Sequence, residues 1–228
     1  MSTPPLDLAR RNIRQRDLVP PERLARCHAM VIGVGSIGRQ VALQLAAMGI
    51  QHMTLYDPDQ VSVENLACQA FMEDDIGTAK VHAVANIAHQ QFPRMELHVI
   101  EERFRKSHVQ KWPQTRQIVV FCCVDSITSR KLIWEAVQSR AHFFCDGRMA
   151  AEVIRVITSD TPAMDRYYAS TLFSAGEAYA GECTSKSTIY TASIAAGLMV
   201  GQFARWLRRL PVNREQVFNL LAQELMAS

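Results

Sequence analysis

The chain predicts an α/β protein: a Rossmann-like, mostly parallel sheet flanked by helices, with an antiparallel extension. Three observations lead there. His28 to Val34 and QIVVFCCVD are nearly continuous apolar runs, as parallel strands buried on both faces should be. Strand-like and helix-like segments alternate along the first two thirds of the chain. Gly33, Gly35 and Gly38 give the GxGxxG spacing between the first strand and the first long helix, where a tight turn and close approach of a phosphate are needed.

Taken in order, residues 1–28 form a Pro- and Arg-rich helical arm, with a second short helix over PPERLARCHA delivering the chain into the first strand. Ile37, Val41, Leu45 and Met48 then recur at helical spacing and Gly49 ends the helix. QHMTLYD gives a second strand closing on Asp57, about twenty residues past the turn, where a ribose hydroxyl is held in folds of this kind. A polar loop, Asp59 to Gln69, leads through an acidic turn to a helix carrying Lys80, Val84 and Ile87. MELHVIEERF is the third strand, Arg105 to Arg116 includes a surface helix, and QIVVFCCVD ends on Asp125 as the earlier strand ends on Asp57. Two carboxylates at the carboxyl ends of parallel strands point into one crevice. Ser129 to Ala141 reads as a helix, HFFCDG as a strand, and EVIRVITSD as the strand that turns the sheet antiparallel. Residues 160–187 lack a period and read as a long functional loop or crossover. Thr188 to Leu207 is a packing helix of small and apolar residues, and residues 212–226 read as a last amphipathic helix. Residues 29–228 are thus expected to form one domain.

Composition narrows the function. With 228 residues, 48% hydrophobic and 21% charged, the chain can bury a sizeable core. A net charge of +3 without a basic run gives no reason to expect nucleic acid as a partner. The longest apolar run, Tyr190 to Phe203, falls short of the roughly 18 residues of a membrane span, so no membrane partner is expected. The first residues lack the apolar stretch of a signal peptide, and a cytoplasmic location is expected. The six cysteines follow no metal-ligand spacing, which argues against structural zinc and against a disulfide framework.

Read in order, GVGSIG, YDPDQVSVENLACQ, IGTAK with Lys80, and VDSITSR with Asp125 and Arg130 resemble the ThiF/MoeB/HesA family, bacterial relatives of ubiquitin-activating enzymes. These motifs span roughly residues 29–132. The likeness continues more loosely through DGRM and ECTSKSTIYTA, a pattern similar to stand-alone ThiF-like proteins of mobile elements. The resemblance implies an adenylyltransferase. ATP and the C-terminal carboxylate of a small ubiquitin-like or sulfur-carrier protein, ending in Gly-Gly, would give an acyl-adenylate and pyrophosphate. By position, Gly33, Gly35 and Gly38 would cradle ATP, Asp57 would hold its ribose, and Asn65 and Gln69 would line its phosphate end. Lys80 would neutralise phosphate charge and Asp125 would hold magnesium. Asp59 and Arg130 either join this site or tie loop to helix. Arg14, or equally Arg16, would reach a nucleotide from the partner subunit of a homodimer. Cys183 stands where related enzymes carry the thiol that accepts the acyl group; the other reading is a loop cysteine.

The chain departs from this family at Cys68, where Asn-Leu-x-Arg-Gln is usual, and so lacks one phosphate-facing cation. Either another arginine substitutes, or ATP binding is weakened, or the protein is a degenerate nucleotide-binding scaffold. An NAD-dependent oxidoreductase, suggested by the turn and Asp57 alone, leaves Lys80 and Asp125 without a task.

Overall fold

A computed structural model describes residues 10–172 and 187–228. One eight-stranded sheet runs β3-β2-β1-β4-β5-β6-β7-β8. Its first five strands are parallel: β1 (Cys27–Ile32), β2 (His52–Tyr56), β3 (Glu96–Ile100), β4 (Gln117–Cys122) and β5 (Phe143–Ala150). The remaining three are antiparallel: β6 (Val153–Ser159), β7 (Glu215–Asn219) and β8 (Glu224–Ala227). The expected antiparallel extension is therefore present, and it is longer than one strand.

β1 lies at the centre of the parallel part and every one of its residues is buried, because helices cover both faces of the sheet. On one face α2 (Ser36–Met48), α4 (Lys80–Gln91) and α8 (Ile189–Leu207) pack with Val31, Leu45, Leu55, Val84, Phe121, Phe143, Met199 and Phe203 in one apolar cluster. On the other, α5 (Lys106–Val109), α6 (Ile127–Val137) and α7 (Pro162–Ser170) close over Ile32, Val120, Trp134, Phe144 and Tyr168. The small residues of α8 let it lie against both α2 and β5, and Met199 fills the place a side chain at Gly147 would occupy. Among the described residues, no helix is long and apolar enough to cross a membrane.

Three expectations are corrected. Residues 212–226 are not a helix but the β7–β8 hairpin. The local sequence NLLAQELM favours a helix, but the edge of β6 left open by β5 takes β7, and β7 in turn takes β8, so the tail is drawn into the sheet. Gln216 fixes that register from within, accepting from Gln202 Nε2 at 2.8 Å, while Gln202 Oε1 accepts from the Asn213 amide at 2.9 Å. The expected loop of 160–187 begins instead with α7. Thr161 caps it, Pro162 opens it and Tyr168 buries fully beneath it. In the arm, α1 (Pro21–Leu24) is the short helix expected there, whereas residues 11–18 form successive turns.

Candidate active site

Strand order reverses between β1 and β4, since β2 and β3 lie to one side and β5 to the other. A crevice opens at the carboxyl ends of the strands at such a point. The turn after β1 lies against the exit of β4. Gly33 adopts φ +87°, and a Cβ there would sit 2.9 Å from the Cys123 carbonyl oxygen. A Cβ on Gly38 would lie 1.8 Å from the Gly33 carbonyl oxygen, so α2 can start against the turn only without a side chain. Gly38→Ala is expected to force α2 off β1 and destabilise the fold by about 2–3 kcal/mol, the cost of overpacking a closed site. An unchanged urea midpoint would contradict that packing. Gly35 differs: its face is open apart from the Gln69 amide, whose nearest atom is 3.6 Å away. No side chain caps α2, so its first amides face the crevice.

Asp57 follows β2 directly and is buried, with one carboxylate oxygen accepting from the Val34 amide at 2.7 Å and the other from the Asp59 amide at 2.9 Å. Burial raises its pKa, and the two amides and nearby Lys80 offset part of that shift. The carboxylate therefore locks the glycine turn to the end of β2 while sitting at the crevice edge. Lys80 begins α4. The backbone around Val61 and Thr78 pairs antiparallel, which brings Lys80 Nζ within 3.1 Å of the Asp59 carboxylate. Lys80 is 7% exposed, whereas the Asp59 side chain is 61% exposed. The ammonium is thus held inside with a solvent-facing partner that an anionic ligand could displace.

Asn65 and Gln69 open and close α3 (Asn65–Gln69), a short helix packed beside α2. Asn65 Oδ1 is used locally by the Ser62 amide at 3.0 Å, whereas Gln69 Oε1 is buried above Gly35 with no hydrogen-bond partner. Cys68 donates to the Glu64 carbonyl at 3.2 Å and brings no charge. Arg39, which no sequence motif marks out, lies on α2 one turn beyond Gly35 and stacks on Phe71. The available signal was a basic residue in the first turn after the glycines.

Asp125 lies three residues beyond the end of β4 and is exposed. It does not cap α6; the Ser126 hydroxyl does, accepting from the Ser129 amide at 3.4 Å. Arg130 explains how this loop is held. Its guanidinium reaches the Asp125 carbonyl at 3.0 Å, the Gly147 carbonyl at 3.1 Å and the Asp146 carboxylate at 2.9 Å. Burial disfavours its charge, but Asp146 outweighs that and raises its pKa above the ordinary arginine value. Of the two roles left open for Arg130, the geometry shows it tying loop to helix and strand. Asp146 and Arg148, which complete this cluster, belong to the DGRM segment and had not been singled out individually.

The structure brings Gly33, Gly35, Gly38, Asp57, Asp59, Lys80 and Gln69 around the turn. Asp125 comes to the same end of the sheet, two strands from Asp57 and so about 10 Å across it. Arg14 is not brought there within the chain. Its neighbours Arg11 and Gln15 bind the carbonyls of Ala46, Ala47 and Met48 at the far end of α2, roughly 20 Å from Gly35. Arg14 and Arg16 are both exposed. Cys183 lies outside the described residues. Among those residues, no group of three or more histidine, cysteine or acidic side chains could hold a metal ion. A lone exposed carboxylate still suits magnesium, which keeps several waters and takes other oxygens from substrate phosphates.

The ThiF family model matches residues 9–225. The SAMP-activating enzyme E1 of Haloferax volcanii is 32% identical over 51% of this chain and 44% of its own length. The sulfur carrier protein ThiS adenylyltransferase of Escherichia coli is 29% identical over 49% and 45%. The chain thus spans less than half the length of these curated relatives. The crystal structure of PaaA superposes with a TM-score of 0.75 at 18% identity, covering 100% of this chain and 85% of that one. E. coli MccB with AMPCPP and MccA superposes at 0.76 and 15% identity, covering 97% and 72%. At such identities these two likenesses establish the fold alone.

Proposed function

Because the chain belongs to the ThiF family, we propose that it activates the C-terminal carboxylate of a small ubiquitin-like or sulfur-carrier protein with ATP. The observation that carries this reading is the crevice at the strand-order reversal, where an uncapped helix start, an open Gly35, buried Lys80 and two carboxylates share one sheet end. Such a set answers the chemistry. A substrate carboxylate oxygen forms a bond to the α-phosphorus while the bond to the bridging oxygen breaks, and pyrophosphate leaves with the electron pair. Two anions must meet, so charge has to be cancelled where water is scarce. Lys80 and the α2 amides would supply fixed positive charge, Asp57 would orient the ribose, and Asp125 would hold magnesium to screen the triphosphate. A second step, attack of the Cys183 thiolate on the acyl carbon with AMP leaving, rests on the sequence motif.

The expected result is carrier-dependent exchange of labelled pyrophosphate into ATP. Absence of exchange with a range of Gly-Gly-ending carriers would favour a degenerate scaffold of the same fold that at most holds a nucleotide, and no calorimetric signal at millimolar ATP and magnesium would strengthen that reading. Cys68 is the observation behind that second reading, since its thiol turns to the Glu64 backbone and offers no charge to a phosphate. Arg14 would act across a homodimer, and a monomer by light scattering at high concentration would remove that role.

A further inference from the structure

We propose that Arg39 supplies the guanidinium that neutralises the phosphates of the nucleotide at the glycine turn. The inference rests on the nucleotide reading of that turn and adds a residue to it.

Arg39 is 5% exposed. Its Nε is buried without a hydrogen-bond partner, and no ion pair among the described residues includes it. A guanidinium largely withdrawn from water, with its Nε fully buried and no anion beside it, is unfavourable, and folded proteins rarely keep one unless something else supplies the charge. The nearest carboxylate influence is Asp75, but one of its oxygens accepts from the Met72 amide at 2.9 Å and it makes no ion pair with Arg39. Burial accordingly lowers the Arg39 pKa, with Asp75 offsetting only part of it.

Placement says where the missing anion would come from. The Arg39 amide donates to the Gly35 carbonyl at 3.0 Å, so the two residues are one turn apart on one face of α2. Long side chains on a helix lean back toward its N-terminus, which here is the glycine turn. The guanidinium carbon lies 5.3 Å from the centroid of Phe71, whose ring holds it against the α3 segment. Two residues before Phe71, Gln69 covers Gly35 with its own oxygen unpartnered. Two unsatisfied buried polar atoms, on α2 and α3, thus flank the helix start whose amides are uncapped. An oxyanion bearing several acceptor oxygens would satisfy the guanidinium and the amides together; an adjoining amide nitrogen of Gln69 would add a further donor once its side chain turned over. Cys68, one residue before Gln69, brings no guanidinium and Lys80 is engaged by Asp59, whereas Arg39 has no acidic partner among the described residues.

Calorimetry of wild type, Arg39→Met and Arg39→Lys with ATP and magnesium, and separately with adenosine, tests this. ATP affinity should fall tenfold or more in Arg39→Met and less in Arg39→Lys, which keeps the charge without the fork. Adenosine affinity should not change. The thermal midpoint of nucleotide-free Arg39→Met should equal or exceed wild type, because an unpaired buried charge has been removed. Unchanged ATP affinity, equal losses for ATP and adenosine, or an Arg39→Met protein that melts well below wild type would each overturn the assignment while leaving nucleotide binding intact. Wild type that binds no ATP at millimolar concentration would remove the nucleotide reading, and Arg39's role with it.

Discussion

Asp146→Ala is expected to destabilise the protein by about 3–5 kcal/mol, the cost of removing one partner from a buried ion cluster. For a chain of this size that corresponds to a thermal midpoint lowered by roughly 6–20 °C. Asp146 is 0% exposed and both of its oxygens are occupied. One accepts from Arg130 Nε at 2.9 Å; the other accepts from Arg148 Nε at 2.7 Å and the Tyr168 hydroxyl at 3.2 Å. Loss of the carboxylate leaves two guanidinium groups facing each other under α6 and α7 with no anion between them. Asp146→Asn keeps an acceptor without the charge and should fall between alanine and wild type. A midpoint within one or two degrees of wild type for the alanine variant would show that the cluster is dispensable.

The consequence reaches the candidate site, because Arg130 also holds the Asp125 carbonyl. The ion cluster fixes Arg130, Arg130 fixes the loop after β4, and that loop carries the exposed Asp125 at the carboxyl end of the sheet. A variant that weakens Asp146 but still folds should therefore lose exchange activity more steeply than its stability alone predicts.

What could be read from the chain divides along physical lines. The parallel half was legible because its central strands β1 and β4 are almost wholly buried and print nearly uninterrupted apolar runs, CHAMVI and QIVVFC, whereas the edge strand β3 is largely exposed. The glycine turn was legible because steric exclusion dictates it: Gly38 cannot carry a side chain 1.8 Å from a carbonyl oxygen. The C-terminal hairpin was not, because β7 is dictated by the edge of β6, some sixty residues away in sequence, and β8 by β7, against the local helical tendency of NLLAQELM. Helix α7 was missed for a smaller reason, a Thr-Pro start hidden in a segment whose later part has no period. In the site, motif order picked out Asp57, Lys80 and Asp125. It could not foresee that Lys80 pairs with Asp59, or that Arg130 is taken up by Asp146. Both are tertiary facts. Arg39 stayed hidden because a lone arginine on an amphipathic helix reads as a solvated residue, whereas here Phe71 and α3 cover it.

Lys80→Ala and Asp125→Ala are expected to lower pyrophosphate exchange by on the order of 10²–10³, the usual cost of deleting one electrostatic partner of a transition state. Neither should move the melting midpoint much. The partner of Lys80 is largely exposed, so deleting the lysine leaves Asp59 in water and no unpaired charge in the interior. Asp125 is exposed and Arg130 uses its carbonyl, which alanine retains. Activity loss without stability loss separates these residues from Asp146, whose loss should appear in both. Asp59→Ala is the informative control, because it frees the Lys80 ammonium without deleting it. If Lys80 meets phosphate, freeing it should preserve or strengthen ATP binding. If Lys80 serves only to fasten the loop after β2 to α4, Asp59→Ala and Lys80→Ala should behave alike. Equal, small losses in both variants would remove Lys80 from the proposed chemistry, and undiminished exchange in Asp125→Ala would remove the magnesium role assigned to that carboxylate.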